Sequence, residues 1–495
     1  MTQDRLPALT VFLDGDRLEP RVARQITSIR IRRALSCAAQ AEIRITSHDF
    51  QVPPLGAGLR IERQDRDEPL FAGAVSAIER ARRQDGVVTV TVRGFDALQS
   101  LRRSGQAASL QDITPGDIAR SMADKLGLGF ETQESGPTLP HMIRTDRTDF
   151  DFLCSETRRF GLWFHLRAGT LHLHGVDGFG APRRITLSED AFEARVEANA
   201  DQATGSMSFT AFAPDVLDPF PGFAFGLDSS DAYGANTVDA DTDIPVLNLP
   251  SATEDEALAI ASAEMAHRDA GRVTLRAVFD GSYAFHLGQR LEVADIGMDT
   301  AGPLPITQIE DRIDVAAGHI VEVSTQPAPL SPIQQRPQMA WAKVVDNDDP
   351  TGAGRVRCSF PAIGDTETGW LQVIRPMAGP DRGFAYVPAV DDHVMVLTNS
   401  GRLEHAFVLG SLNAQERLAI VDGAGDAKRF GFYSVAGHAL TFDDDSKIAE
   451  LKAPDGSKLA LGPDGISLRA DGDLTLEAPG GTVTIRGNAI DFERG

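Results

Sequence analysis

Near the end of the chain, the stretch GISLRADGDLTLEAPGGTVTIRGNAIDF (465–492) sets its apolar residues on every second position. Ile466, Leu468 and Ala470 are answered by Leu474, Leu476 and Ala478, and Gly472 and Gly480 hold the same place in each copy, so the pattern repeats every eight residues. Strict alternation means strands with one buried face. Such short strands bury too little by themselves to stand in water, and a repeat of this kind has to stack on itself or on other chains. An ordinary sheet edge of a preceding domain is the plain alternative. Three copies wound about one axis satisfy the pattern better. Ile466, Leu468, Ala470, Leu474, Leu476 and Ala478 then form a narrow dry column, glycine turns each corner, and the open strand edges disappear. The register shifts at Val483 and Ile485, expected as the last core positions, and again at Ile490 and Phe492, where the prism ends.

The chain has 495 residues, room for about three domains. It is acidic, with a net charge of −23, which argues against nucleic acid or an anionic membrane surface as a standing partner. Three widely spaced cysteines, Cys37, Cys154 and Cys358, suggest neither a disulfide framework nor a zinc site. The N-terminal segment lacks the basic-then-apolar order of a secretory signal, and no apolar run reaches the ~18 residues of a membrane span. The expected route is synthesis and assembly in the cytoplasm.

Residues 1–325 read as a β-rich region with helical insertions. Asp14-Gly15 marks a hairpin turn. Thr114 caps a helix that has Pro115 at its first position and Gly127 after its end. Thr148 or Asp149 caps a second helix that Gly161 stops. A third starts in ATEDEAL and ends at Gly271. The proline-rich stretch 326–338 reads as a linker. Residues 339–413 carry short strands in WAKVVD, GRVRCSF, GWLQVI, GFAYVP, HVMVLT and AFVLG, the signature of a small Greek-key barrel of the OB type. A connector (414–429) and the repeat region (430–495) follow. The fold class is mainly β: a β-rich α+β region, an OB barrel and a C-terminal trimeric β-helix, in an elongated homotrimer.

Motifs for chemistry are sparse. His172 and His174 share one strand face near His165, a possible metal pair with no obvious third ligand; a solvated hairpin face is the simpler account. DNDDPTG, from Asp346, resembles a calcium loop but has Pro350 where an oxygen ligand is needed. No nucleophile elbow, HExxH or P-loop occurs. Acidic pairs leave a cell-wall hydrolase open as an alternative, and the barrel leaves open a single-strand nucleic-acid binder, although aromatic residues are only 6% of the chain. The expectation is a non-enzyme with no catalytic residues, metal or cofactor.

The barrel segment resembles the OB module of VgrG-type spike proteins, relatives of the baseplate spikes of contractile phage tails. The matching residues are Asp349, Pro350, Gly352, Gly354, Arg355, Val356, Gly369, Trp370, Pro388, Val390, Asp392, His393, Val394 and the run Val408–Leu412 with Gly410. Asp391 and Asn413 depart from the family pattern. RTDRTDFDFLCSETRRFGLWFHL resembles the tail-hub part of the same proteins more loosely. The resemblance implies a homotrimer with a ring of hub domains, barrels beneath and an intertwined needle. It also implies tube, hub and baseplate partners, transient contact with a target membrane, and no nucleic acid. Only about fifteen residues separate barrel from needle, too few for an inserted lysozyme domain; this favours an extracellular or phage-tail-like contractile injection particle, released or cell-bound after assembly in the cytoplasm, over a type VI secretion spike. Related spikes carry a small PAAR-type tip protein on the blunt needle end, expected here on Ile490 and Phe492.

Overall fold

The computed structural model describes residues 9–145, 148–202, 206–212, 219–225, 243, 245–251, 253–295, 302–329, 337–379, 382–398, 401–413 and 428–493. Residues 330–336 of the expected linker and 414–427 of the expected connector lie outside them, as do residues 494 and 495, whereas Ile490 and Phe492 of the expected tip site are described. The chain divides into two compact units, 1–411 and 412–495.

In the first unit an 11-stranded sheet runs in the order Ala191–Ala198, Val273–Asp280, Gly318–Ser324, Gln308–Asp314, Ile26–Ala34, Gln40–Thr46, Val88–Phe95, Phe71–Arg82, Gly58–Arg63, Leu9–Leu13 and Asp16–Arg17. Its pairings are antiparallel. The last two strands turn on Asp14 and Gly15, both at positive φ (53° and 87°), as a two-residue hairpin requires. Alternation sorts the faces. Ile31, Ile43, Ile61 and Val90 point into one apolar core, and Leu275, Phe279, Val321 and Val323 into a second. The other face is laced by ion pairs: Arg276–Glu322 (2.5 Å), Arg312–Glu322 (3.0 Å), Arg30–Glu310 (2.6 Å), Arg32–Glu310 (2.7 Å) and Arg93–Glu42 (2.8 Å).

A third core gathers the helices. The helix Pro115–Lys125 starts at a capping box in which Thr114 and Asp117 exchange hydrogen bonds, and Gly127 follows its end at φ 66°. The helix Asp149–Arg159 is capped by Thr148. The third helix, Glu254–Arg272, runs through Gly271 instead of ending there, because it passes directly into the strand Val273–Asp280. Phe150, Leu153, Phe164 and Ile260 pack together in this core.

The barrel follows. Its strand Gln338–Asp346 pairs antiparallel with Arg357–Phe360 and with His393–Thr398, Ala406–Leu412 neighbours His393–Thr398, and Gln372–Val373 joins Ala406–Leu412 in parallel. A bridge between Val356 and Leu371 closes the ring. Numbered along the chain, the circular order is 1-2-3-5-4, that of an OB barrel. Ala342, Val344, Cys358, Phe360, Val394 and Val408 fill it. GFAYVP, read as a strand from its alternation, is irregular over 384–389.

The second unit is a five-stranded antiparallel meander: Arg429–Tyr433, Ala439–Asp443, Ile448–Lys452, Lys458–Gly462 and Gly465–Arg469. Each strand pairs only with its neighbours in sequence. Residues 470–493 continue without regular secondary structure within the chain.

Candidate functional site

The barrel's signature residues build its first loop. Asp349 accepts hydrogen bonds from the Thr351 amide and hydroxyl (3.1 and 3.0 Å), from the Arg355 amide (3.2 Å) and from the Arg355 guanidinium (2.8 Å). The Arg355 hydrogen bond is the main reason its carboxyl lies far below the usual carboxylate range. Pro350 is exposed in the turn, and Gly352 and Gly354 adopt φ 69° and 71°. A Cβ on Gly354 would meet Arg375 Nη2 at 2.4 Å. With Asp349 committed to Arg355, the calcium-like spacing of DNDDPTG is spent on a turn. Gly369 approaches His141 of the N-terminal region (residues 9–325, here called the hub after the resemblance noted above), with room for a Cβ at 3.6 Å from its Nδ1. Trp370 is half-buried beside it, and Gly410 lies in the strand Ala406–Leu412. These residues shape and seat the barrel.

The seat itself carries a feature that no sequence motif announced. The barrel's short helical turn Leu403–His405 inserts charges between hub helices. Arg402 donates to both Glu156 carboxylate oxygens (3.2 Å each) and to Glu404 (2.6 Å). Nearby, Arg159 pairs with Glu256 at 2.6 Å. Burial would raise the Glu404 carboxyl, but the charges of Arg402, His405 and Arg159 outweigh it and hold it low. The hub strand Leu139–Arg144 also lends Ile143 to the barrel's core. Barrel and hub are therefore joined by both apolar packing and buried charge.

In the C-terminal unit the register aligns apolar side chains across all five strands. Phe430, Phe442, Ala449, Leu461 and Ile466 stand in one cross-strand row, and Phe432, Leu440, Leu451, Leu459 and Leu468 in the next. The rows are two residues apart and share one face. None of the ten is buried; Ile466 is 75% exposed. The opposite face is more polar, with Arg429–Asp443 (2.6 Å) and Lys458–Glu450 (2.8 Å) beside Tyr433 and Ile448. Of the expected needle-core residues, Ile466 and Leu468 belong to this sheet. Ala470 follows it, and Leu474, Leu476, Ala478, Val483 and Ile485 lie on the extended segment. Leu474, Leu476, Val483 and Ile485 are each at least half exposed, and Ala478 is exposed as well. Ile490 and Phe492 are 46% and 89% exposed. A contiguous apolar face of this size on a polar-backed sheet marks a contact surface.

The histidines depart from expectation. His165 and His174 are buried, each 2% exposed, and the face they share with His172 is covered by Phe179 instead of solvated. Among the described residues no group of three His, Cys, Asp or Glu is disposed to hold a metal, and no helix is long and apolar enough to cross a membrane.

Comparison with known proteins agrees with this architecture. Residues 341–412 match the family described as Type VI secretion system/phage-baseplate injector OB domain. Curated proteins gave no match. Among solved structures, a Francisella PdpA–VgrG complex (half-lidded) is similar with a TM-score of 0.55 at 10% identity, covering 93% of this chain and 87% of that one. The E. coli c3393 protein, described as a type VI secretion component similar to the T4 tail proteins gp27 and gp5, gives 0.53 at 12% identity, covering 81% of this chain and 99% of that one. The 43 kDa tail protein of prophage MuSo2 from Shewanella oneidensis gives 0.50 at 14%, covering 64% and 99%. At such identities the likeness speaks for the fold, while the barrel is matched by sequence. The overall fold, then, is similar to that of these VgrG and phage-tail proteins, and residues 341–412 match the injector OB-domain family by sequence.

Proposed function

We propose that the protein is the non-catalytic central spike of a contractile injection particle. Three copies assemble, their hub regions meet the tube and baseplate proteins, and their C-terminal segments wind into a needle that carries a tip protein on Ile490 and Phe492. The reading rests on one observation above all: no side chain of the ten-residue apolar face is buried, and the octad side chains after it are exposed or half-exposed. Exposed together, they favour association strongly, at ~25 cal/mol per Å² of apolar surface removed from water. The VgrG solved with PdpA and the tail proteins of similar fold support partners drawn from the same kind of particle.

Light scattering on the purified full-length chain tests it. A mass about three times 53.2 kDa is expected. Leu476→Asp places one charge per copy on a shared axis, where an unpaired buried charge is very costly, and should weaken or abolish the trimer. A wild-type monomer at micromolar concentration would overturn the proposal.

A further inference from the structure

His165 lies in the strand Leu162–Arg167, directly opposite His172 in the strand Thr170–Gly175. Their rings stack with centroids 5.1 Å apart and planes 14° from parallel. His174 meets His165 edge-on at 5.4 Å. Phe179 closes the group, 5.6, 5.9 and 5.1 Å from the three imidazoles in turn. Neither ring nitrogen of His165 has a hydrogen-bond partner among the described residues, nor does Nε2 of His174, whose Nδ1 is engaged with the Gly175 carbonyl at 2.7 Å. His165 and His174 thus fill apolar space, and burial disfavours their charged forms.

The cluster is also a joint. Phe179 begins the strand Phe179–Thr186, which runs parallel to Gln289–Ala294. The Phe179 ring packs over Gly288, where a Cβ would lie 2.5 Å from Phe179 Cε1 and 2.7 Å from His174 Nε2. The hairpin 162–175 meets the Phe179–Thr186 and Gln289–Ala294 pair on this side through the histidines and Phe179, and Trp163 shares a core with Ile185 and Leu291 of the same pair. Carboxylates near the cluster are Glu131, 3.3 Å from His172 Nδ1, with Glu68 and Asp177; the cations are Arg167, and toward His286 also Arg33 and Arg66.

We propose that this histidine–phenylalanine cluster is an acid-sensitive latch, in which charging of the imidazoles separates the hairpin 162–175 from the strands that Phe179 anchors. Burial, then neighbouring imidazoles and Arg167, keep His165 well below its ordinary range. Burial is also the first cause of the lowering at His172, His174 and His286. His286, in the turn before Gly288, is brought down to about 4. With folded values depressed, the opened form binds more protons below about pH 6.5, so closure is complete above that pH and weakens as pH falls toward 4. The latch does not depend on the spike reading.

Hydrogen exchange on the full-length protein tests it, with rates corrected for the intrinsic pH dependence of exchange. Between pH 7.5 and 5, opening of the amides in Leu162–Gly175 should rise on the order of tenfold, the scale that a shift like that of His286 sets, while amides of the barrel strand His393–Thr398 change less. His165→Phe keeps a ring in the stack and removes the charge; it should cut the acid-induced opening at least threefold. If His165→Phe does not fold, His172→Gln, at a half-buried position, carries the same expectation. Equal opening at both pH values in the wild type, or undiminished acid opening in the variant that folds, would refute the latch.

Discussion

Replacing Arg402 with Met tests whether barrel and hub form one mechanical piece. The side chain is mostly buried and bridges Glu156 and Glu404, themselves 5% and 4% exposed. Methionine fills a similar volume but leaves two buried carboxylates without their shared cation. Removing one partner of a buried pair costs about 3–5 kcal/mol. Because a second cation, Arg159, remains among the same carboxylates, the lower half of that range is expected. Urea unfolding followed by tryptophan fluorescence reads it out through Trp341 and Trp370 of the barrel and Trp163 of the hub. With a slope of about 1–3 kcal/mol per molar for a domain-sized transition, the first midpoint should fall by about 1 M or more at pH 7. The loss should shrink toward pH 4, because a carboxyl left without its cation titrates above the ordinary range and becomes neutral in acid. Adding Glu404→Gln should recover part of the loss. A midpoint within 0.2 M of wild type (about 0.2–0.6 kcal/mol on the same slope), equal at both pH values, would show that the buried charges do not hold the joint.

Three further outcomes are expected. Asp149, at the start of its helix, is pushed up by burial but held at about 2 by hydrogen bonds from Lys125, Ser104 and Arg144. Its contribution is present above about pH 4 and lost as pH falls through 2, so Asp149→Asn should lower the melting temperature at pH 7 and narrow the gap from wild type at pH 2. Phe492→Ser should abolish co-purification of a PAAR-type tip protein while leaving the light-scattering mass unchanged; tip binding that survives removal of the last six residues would place the tip elsewhere. Leu459→Glu, in the middle of the apolar face, should lower the trimer's thermal resistance, read as dissociation on heating in a sizing column.

The parts of the fold that could be read in advance were those governed by local chemistry. Asp14-Gly15, the Thr114 and Thr148 caps and the alternation in the barrel strands each act within a few residues. Gly271 misled because a glycine can stay helical when the next element starts at once. GFAYVP misled because alternation persists in a segment that Pro388 and its neighbours keep irregular. The Arg402–Glu156 contact spans 246 positions, and no pattern of a single sequence reveals a partner so distant. The histidines were legible as one strand face but not as a buried one, since only Phe179, from outside the hairpin, decides that. The octads were read for their period. The same alternation upstream concealed a different object, a sheet closed by turns within one chain.

That meander changes how association would begin. Every pairing in 429–469 joins strands adjacent in sequence, so its contact order is low and its hairpins can form on a microsecond scale without waiting for distant chain. In the proposed trimer each copy would therefore present a finished apolar face before it met another, and encounter would be a collision of folded surfaces instead of a threading of loose strands. The later octads, which pair with no strand among the described residues, would then be brought together at the high local concentration that the joined sheets impose. Assembly would proceed from the sheet toward the C-terminus, and its first step alone would depend on protein concentration.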